Sequence, residues 1–533
     1  MTDADPGWTD PPAPPRSLHW RHLLWPGSGP RAGDLYRRLL ASIFLIAWLS
    51  LGSQVRLLIG ARGLMPLRDF IEAARDQGSL TLGDFPTVFW WVQSDAALVA
   101  GVVVGVGLAL AAFAGWWPRS CFALSTALYL CYAVAGRTFL SFQWDNLLLE
   151  CGLLASFLPA GRAAPLVHFL FRMVLFKLYF ESGIAKWQSP LHDWQDGSAM
   201  TLYYETAPLP TRVAWWFHNL PAGWHHFESW AVLALELVVP FAIFATRGPR
   251  LVAAGLLTLF QLLNIATANY GFFCYLALAL HVFLLDDRDV ARAGARAGRV
   301  GQSIAGRVGE SIARRLPPAL ARRFRARGGA APGAAGPALG AVRPTSLRAA
   351  VARLAVVAFV LVSLVQALFH FTEPGPRLAR LGWVMSLSQS YRLINTYHLF
   401  AAITTERIEP QFETSADGGT TWTEHDLWHK AGDPTRAPDF VAPHQPRVDF
   451  QLWFYGLNYR HREPSYVATL VGRLCDDPGA VAALFRAPLP EHPDAVRISY
   501  WRYHFTRPSE TRATGAWWRR ESVGATRSIP CHR

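Results

Sequence analysis

Six charged side chains stand in stretches that are otherwise apolar. Arg172, Lys177, Glu181 and Lys186 interrupt the run at 164–186, and Asp145 and Glu150 interrupt the run at 143–160. A charge at membrane depth is costly and needs a partner, a protein interior or a wet cavity. Lys177 and Glu181 are i,i+4 neighbours that can pair along one helix, whereas Arg172 and Lys186, fourteen residues apart, share another face. Glu150 lies roughly 7–8 Å deeper than Asp145 at about 1.5 Å per helical residue. With the two runs antiparallel, Lys186 is expected near Asp145, and Glu181 or Lys177 near Glu150. Two readings stay open: cross-helix ion pairs that only fasten the helices, or an outward-opening polar cavity in which Lys186, its pKa lowered, acts as a base.

The stretch from Trp187 to Phe227 holds His192, Trp194, Tyr203, Tyr204, Glu205, Trp215, Trp216, His218, Trp224, His225 and His226. Such aromatic density between apolar runs suits the membrane–water interface. His218, His225 and His226 lack a recognisable ligand spacing, so no metal site is expected. Asn269-Tyr270-Gly271 reads as a tight turn. No G-x-S-x-G elbow, P-loop, H-E-x-x-H or kinase signature is present, which removes support for hydrolase and nucleotide-driven pump readings. No cofactor is expected.

The elements that must position these residues follow from composition. The 533-residue chain is 51% hydrophobic and only 17% charged, against roughly 25% charged in soluble domains. Apolar runs near 38–59, 95–116, 119–137, 143–160, 164–186, 227–246, 250–267, 270–286 and 350–371 have about the length that crosses hydrocarbon. Arg37, Arg38, Arg119, Arg162, Arg247 and Arg250 fall on one side if the runs alternate, and by the positive-inside rule that side is the cytoplasm. Residues 288–348 add thirteen Arg against Asp289 and Glu310, so most of the net charge of +13 sits in one block between apolar runs. That placement reads as a cytoplasmic loop and argues against a nucleic-acid partner. A short amphipathic helix is expected within it near 303–325.

Only three of the 51 basic residues are Lys (Lys177, Lys186 and Lys430), a bias that suggests a high-GC, bacterial genome and hence an inner-membrane location. No signal peptide is read in the first 36 residues. After residue 405 the pattern changes: strands at 408–412 and 420–422 flank the turn 415–419, Val467 to Leu474 marks an amphipathic helix, and Val496 to Phe505 an aromatic strand. Cys475 and Cys531 belong to this part, and if it lies outside the cytoplasm two states stay open for them, an oxidised disulfide or two free thiols. The expected fold is mainly α: a polytopic membrane helical bundle of about nine spans with a C-terminal α+β extramembrane domain. Its expected divisions are a cytoplasmic tail (1–36), the membrane core (37–287), an Arg/Ala-rich cytoplasmic linker (288–349), a last span (350–371) and an extracytoplasmic domain (372–533).

Several stretches resemble the lipase maturation factor family, multi-pass proteins of the endoplasmic reticulum membrane that also occur in bacteria. They are QWDNLLLECGLLASFLPA (143–160), the loop from Trp194 through YYETAPLPTRVAWWFHNLP (203–221), TANYGFF (267–273), INTYHLFAAITTERIEP (394–410), VAPHQPRVDFQLWF (441–454) and GAWWRRE (515–521). Within them Trp144, Trp194, Tyr204, Glu205, Pro208, Asn269, Tyr270, Gly271, Asn395, Pro443, His444 and Gln445 are the family-motif positions. The resemblance implies a chaperone-like role in folding and assembling secreted lipases, with the terminal domain on the luminal side. The run YFESGIAKW (179–187) with DWQDGSAM (193–200) is also similar to the membrane core of vitamin K-dependent γ-carboxylase relatives, where the position of Lys186 serves as a base. A single Lys stands there in place of that motif's pair.

Three functions are thus in view: a non-enzymatic maturation factor holding a secreted lipase or another exported client beside the bilayer, an integral membrane enzyme using Lys186, and a transporter. An aromatic surface able to cover apolar segments of a folding chain favours the first. Oligomeric state is not fixed by these features.

Overall fold

A computed structural model describes residues 29–78, 80–162, 164–296, 346–373, 375–461 and 464–531. Most of the N-terminal tail, and the linker through 345 with the helix expected at 303–325, lie outside the described residues. The main helices are α1 (Pro30–Gly52), α2 (Asp95–Ala114), α3 (Pro118–Ala135), α4 (Gln143–Ala155), α5 (Pro165–Trp187), α6 (Ala199–Thr206), α7 (Arg212–His218), α8 (Ala222–Leu237), α9 (Arg247–Thr267), α10 (Phe273–Leu280), α11 (Ser346–Phe371) and α12 (Gly382–Tyr391). α8 and α10 each continue as a 3-10 turn, to Phe244 and Leu284.

Local signals explain several ends. Ser94 caps α2 by accepting from the Ala97 amide at 3.2 Å, and Gly115, at φ 85°, stops it in the left-handed conformation. Pro stands in the first turn of α1, α3 and α5, where a missing N–H costs nothing.

Each of the nine apolar runs holds a helix, and among the described residues five helices are long and apolar enough to cross a membrane: α1, α2, α8 with its extension, α9 and the Arg353–Phe371 part of α11. α4, with 13 residues, is about 20 Å long, short of the ~30 Å of hydrocarbon. α5 has the length but carries the four charges. These two form the centre. Nearly every side chain of α4 is buried, whereas α2, α8, α9 and α11 present most of their surface outward. Burial by protein, not lipid, therefore surrounds the charged helices.

The C-terminal domain contains β1 (Arg407–Ser415), β2 (Thr423–His425), α13 (Arg447–Leu457), α14 (Ser465–Asp476), β3 (Ala495–Phe505), β4 (Trp518–Ala525) and β5 (Ile529–Pro530). The sheet is antiparallel in the order β2-β1-β3-β4, with β5 beside β3. Phe412 lies opposite Ile498, both in the core. The second strand begins at Thr423, later than expected, because the Asp417 carboxylate accepts the Thr420 and Thr421 amides at 3.0 and 2.8 Å and holds both in the turn. Those bonds keep the Asp417 carboxyl at about 2. Cys475 at the end of α14 is joined to Cys531 just beyond β5, with their Cα atoms 5.1 Å apart.

Candidate functional site

The charges of α4 and α5 are each engaged, and most of their partners come from the C-terminal third of the chain. Arg447, at the first position of α13, forks onto Asp145: Nη2 is 2.8 Å from Oδ1 and Nη1 2.9 Å from Oδ2. Nη1 also donates to the Phe139 carbonyl, and the Tyr129 hydroxyl donates to Asp145 at 2.6 Å. Both members of the pair are fully buried. Lys186, expected at Asp145, points instead to α8, where its Nζ is 2.7 Å from Glu236 Oε2 and donates to the Leu399 carbonyl at 2.8 Å. The expectation failed because the fork of Arg447 saturates both Asp145 oxygens, while Glu236 sits across from Lys186 inside the bundle.

Lys177 reaches Glu150 at 3.0 Å across the helix pair, and the helix-internal pairing with Glu181 does not form. Glu150 also accepts the Tyr397 hydroxyl at 2.6 Å and the Asn395 amide at 3.3 Å. Glu181 accepts the backbone N–H of Tyr397 at 2.8 Å. Arg172 donates to the Phe283 carbonyl at 2.9 Å, away from the other five groups. The segment 392–403 thus crosses the charged helices and supplies hydrogen bonds to both glutamates.

Several further motif positions fasten the domain in the same way. Asn269 donates to the carbonyls of Leu209 and Asp439 and accepts the amides of Val441 and Ala442 at 2.7 and 3.0 Å. It is a clamp between loops rather than only a turn residue. Gly271 has φ 52°, and a Cβ there would lie 2.4 Å from Gln445 Oε1, so a side chain is excluded on both counts. The Gln445 amide donates to Ser50 Oγ at 3.0 Å and His444 Nδ1 touches the same hydroxyl. Burial holds the His444 imidazole at about 4, so it is neutral there. Pro443 follows a cis peptide bond between Asn269 and this contact. Glu205 takes the His504 ring at 2.8 Å and the Phe505 amide at 2.7 Å, and Arg407 donates to the carbonyls of Glu205 and Pro208.

The aromatic loop divides. Trp194, Tyr203, Tyr204 and Trp215 are buried, while Trp187, Trp216, Trp224 and Phe227 are exposed. Tyr204 donates to Glu228, the Tyr270 and Tyr203 hydroxyls meet at 2.6 Å, and Trp194 offers its face to the Lys186 ammonium. His218 faces Glu205 and His225 faces Glu228, and His226 stands against Trp230. Among the described residues no group of three or more His, Cys, Asp or Glu is arranged to hold a metal.

Two spaces remain. A cavity of about 60 Å³ is bordered by Lys186, Glu236, Gln261, Tyr203, Tyr270 and Phe400. Both polar contacts of Lys186 use its nitrogen as donor, the opposite of what a base offers. The larger space, about 940 Å³, lies between the start of α4, the end of α11, the segment 385–402 and α13. Arg447, Glu236, Arg407, Tyr397 and Gln366 are central to these arrangements and were not singled out from sequence. Arg447 and Arg407 lie within the motif stretches 441–454 and 394–410, but among polar and charged neighbours that gave neither of them prominence.

Fold and site together define a polytopic helical membrane protein with a C-terminal α+β domain locked by buried polar contacts onto one end of its bundle. Residues 31–292 match the lipase maturation factor transmembrane domain, and residues 393–528 match the lipase maturation factor C-terminal domain. The chain is 30% identical to lipase maturation factor 1 of Bos taurus over 98% of its own length and 93% of that relative. It is 30% identical to lipase maturation factor 2 of Homo sapiens, covering 92% of this chain and 81% of the relative. Lipase maturation factor 1 of Homo sapiens is 27% identical over 98% and 92% of the two chains. The chain belongs to the lipase maturation factor family and is an integral membrane protein. No solved structure matches it. The similarity to γ-carboxylase relatives finds no support in these comparisons.

Proposed function

We propose that this protein is a membrane-bound maturation factor that assists the folding and assembly of exported lipases. The likeness to relatives named for lipase maturation, running through the membrane unit and the C-terminal domain alike, carries the reading. The geometry supports it: the buried charges of α4 and α5 are used to fasten the domain, and Lys186 is tied to Glu236 and Leu399. Arg247 and Arg250 lie at the end of α9 opposite Asn269, which contacts the C-terminal domain. The positive-inside rule supports a location of that domain, from about residue 372, outside the cytoplasm, and the Cys475–Cys531 disulfide is in keeping with an oxidising compartment.

The test is secreted lipase activity per unit of lipase protein in cells with the wild-type gene, with a null allele, and with the null complemented. The null should secrete lipase of reduced specific activity, restored on complementation. Equal specific activity in all three would overturn the reading.

A further inference from the structure

Away from the charged core, a pocket of about 690 Å³ opens where the end of α7 and the start of α8 meet the segment 504–519. Its buried side is already spent: Glu205 takes the His504 ring and the Phe505 amide. Burial holds the His218 imidazole below its usual value, so it stays neutral at pH 7. The open side is cationic. Arg507, Arg512 and Arg519 all line the pocket and all are exposed. Glu510 beside them accepts the Arg507 backbone amide at 2.7 Å and stands 3.8 Å from Arg519 Nε, too far for a hydrogen bond. Arg512 donates its Nε to the Pro508 carbonyl at 3.1 Å, and among the described residues no carboxylate pairs with the guanidinium of Arg512 or Arg507.

The pocket is set at a membrane boundary. Leu220 in its wall comes two residues before α8, whose stretch Ala222–Phe244 is long and apolar enough to span. The first turns of that span expose Trp224, Phe227 and Trp230, and Val238 and Phe241 carry the exposed apolar face onward. Such rings settle at the level of the lipid headgroups. Guanidinium groups are suited to phosphate, which they bind through paired N–H donors. A phosphodiester at that level belongs to a phospholipid, whose acyl chains have the outward face of α8 to lie on. A free phosphate or an acidic peptide makes no use of that face. A headgroup bearing an ammonium finds no unspent carboxylate, since Glu205 and Glu510 are both engaged; an uncharged headgroup needs none.

We propose that this pocket binds the phosphodiester of an anionic phospholipid with an uncharged headgroup, held by Arg507, Arg512 and Arg519, with its acyl chains along α8. The bound lipid ties the segment 504–519 of the C-terminal domain to the leaflet in which α8 begins, whatever the client of the protein is.

The test places the purified full chain in phosphatidylcholine vesicles with a trace of phosphatidylglycerol that carries a photoreactive diazirine in its acyl chain, and maps the cross-links by mass spectrometry. Peptides from Ala222–Phe244 should be labelled in excess over those of α2, which also faces outward. The phosphatidylcholine analogue should label the two helices alike. Arg507→Gln with Arg512→Gln should cut the excess on α8 by more than about tenfold, at roughly fivefold for each arginine. The thermal midpoint should hold, because both side chains are exposed. Unlabelled phosphatidylglycerol should compete, and excess inorganic phosphate or a polyglutamate peptide should not. The same α8-to-α2 ratio for both lipids, an unchanged ratio in the double variant, or displacement by phosphate or by the peptide would each overturn the proposal. The lipid comparison and the competition need only the wild-type chain, so they decide the matter even if the variant fails to fold.

Discussion

Asp145 and Arg447 are 302 positions apart and both fully buried. Removing one member of such a pair strands a charge, so Arg447→Met should cost about 3–5 kcal/mol, read as a lower thermal midpoint in detergent. Asp145→Leu with Arg447→Met should recover most of that loss, since a well-packed apolar pair is no worse than a buried ion pair. The Lys177–Glu150 contact was legible in the sequence, because a short connection makes α4 and α5 antiparallel neighbours and helical rise sets their depths. The partner of Asp145 was not: no periodicity relates it to a residue arriving from another domain. Two residues beyond Arg447, burial raises the Asp449 carboxyl to about 6. A raised acid stabilises the fold most below its unfolded value near 3.8 and loses that contribution as pH climbs through 6. The thermal midpoint of the wild type relative to Asp449→Asn should therefore decline between pH 4 and 7, by the equivalent of up to about 3 kcal/mol.

Elements with a clear period were the most readable. α14 and β3 lie where an amphipathic run and an alternating aromatic run placed them, and each apolar run holds a helix. Strand ends were displaced by side-chain chemistry that a pattern of apolar residues does not carry, as Asp417 shows. The aromatic loop was read as interfacial throughout, yet half of its rings are interior, because α6 and α7 fold it back against the bundle and the sheet. Trp215, for example, packs on Trp517. The Cys475–Cys531 bond closes a sequence separation of 56 residues between α14 and the end of the sheet. Chain-entropy arguments assign such a loop about 4 kcal/mol. Cys475→Ser with Cys531→Ser should lower the denaturation midpoint of the full chain by a comparable amount, and a reductant should then have no further effect on the variant.

At the scale of the whole molecule, one end of the bundle carries Arg247 and Arg250 with Asp286 and Asp289, and the other carries the C-terminal domain and the exposed rings of Trp216 and Trp224. Arg is expensive to translocate and favours the cytoplasmic side, whereas amphipathic rings settle at the interface of either leaflet. Only the Arg signal carries a sense, since placing the Arg-rich end outside would require thirteen further Arg of the 288–348 block to cross as well. Single-cysteine variants, made after replacing Cys121, Cys131, Cys151 and Cys274, which are buried, read this out directly. In intact spheroplasts a membrane-impermeant maleimide should label Trp216→Cys at once and leave Arg247→Cys unlabelled until the membrane is opened. The reverse pattern would put the C-terminal domain in the cytoplasm, away from any exported client and from an oxidant for its disulfide.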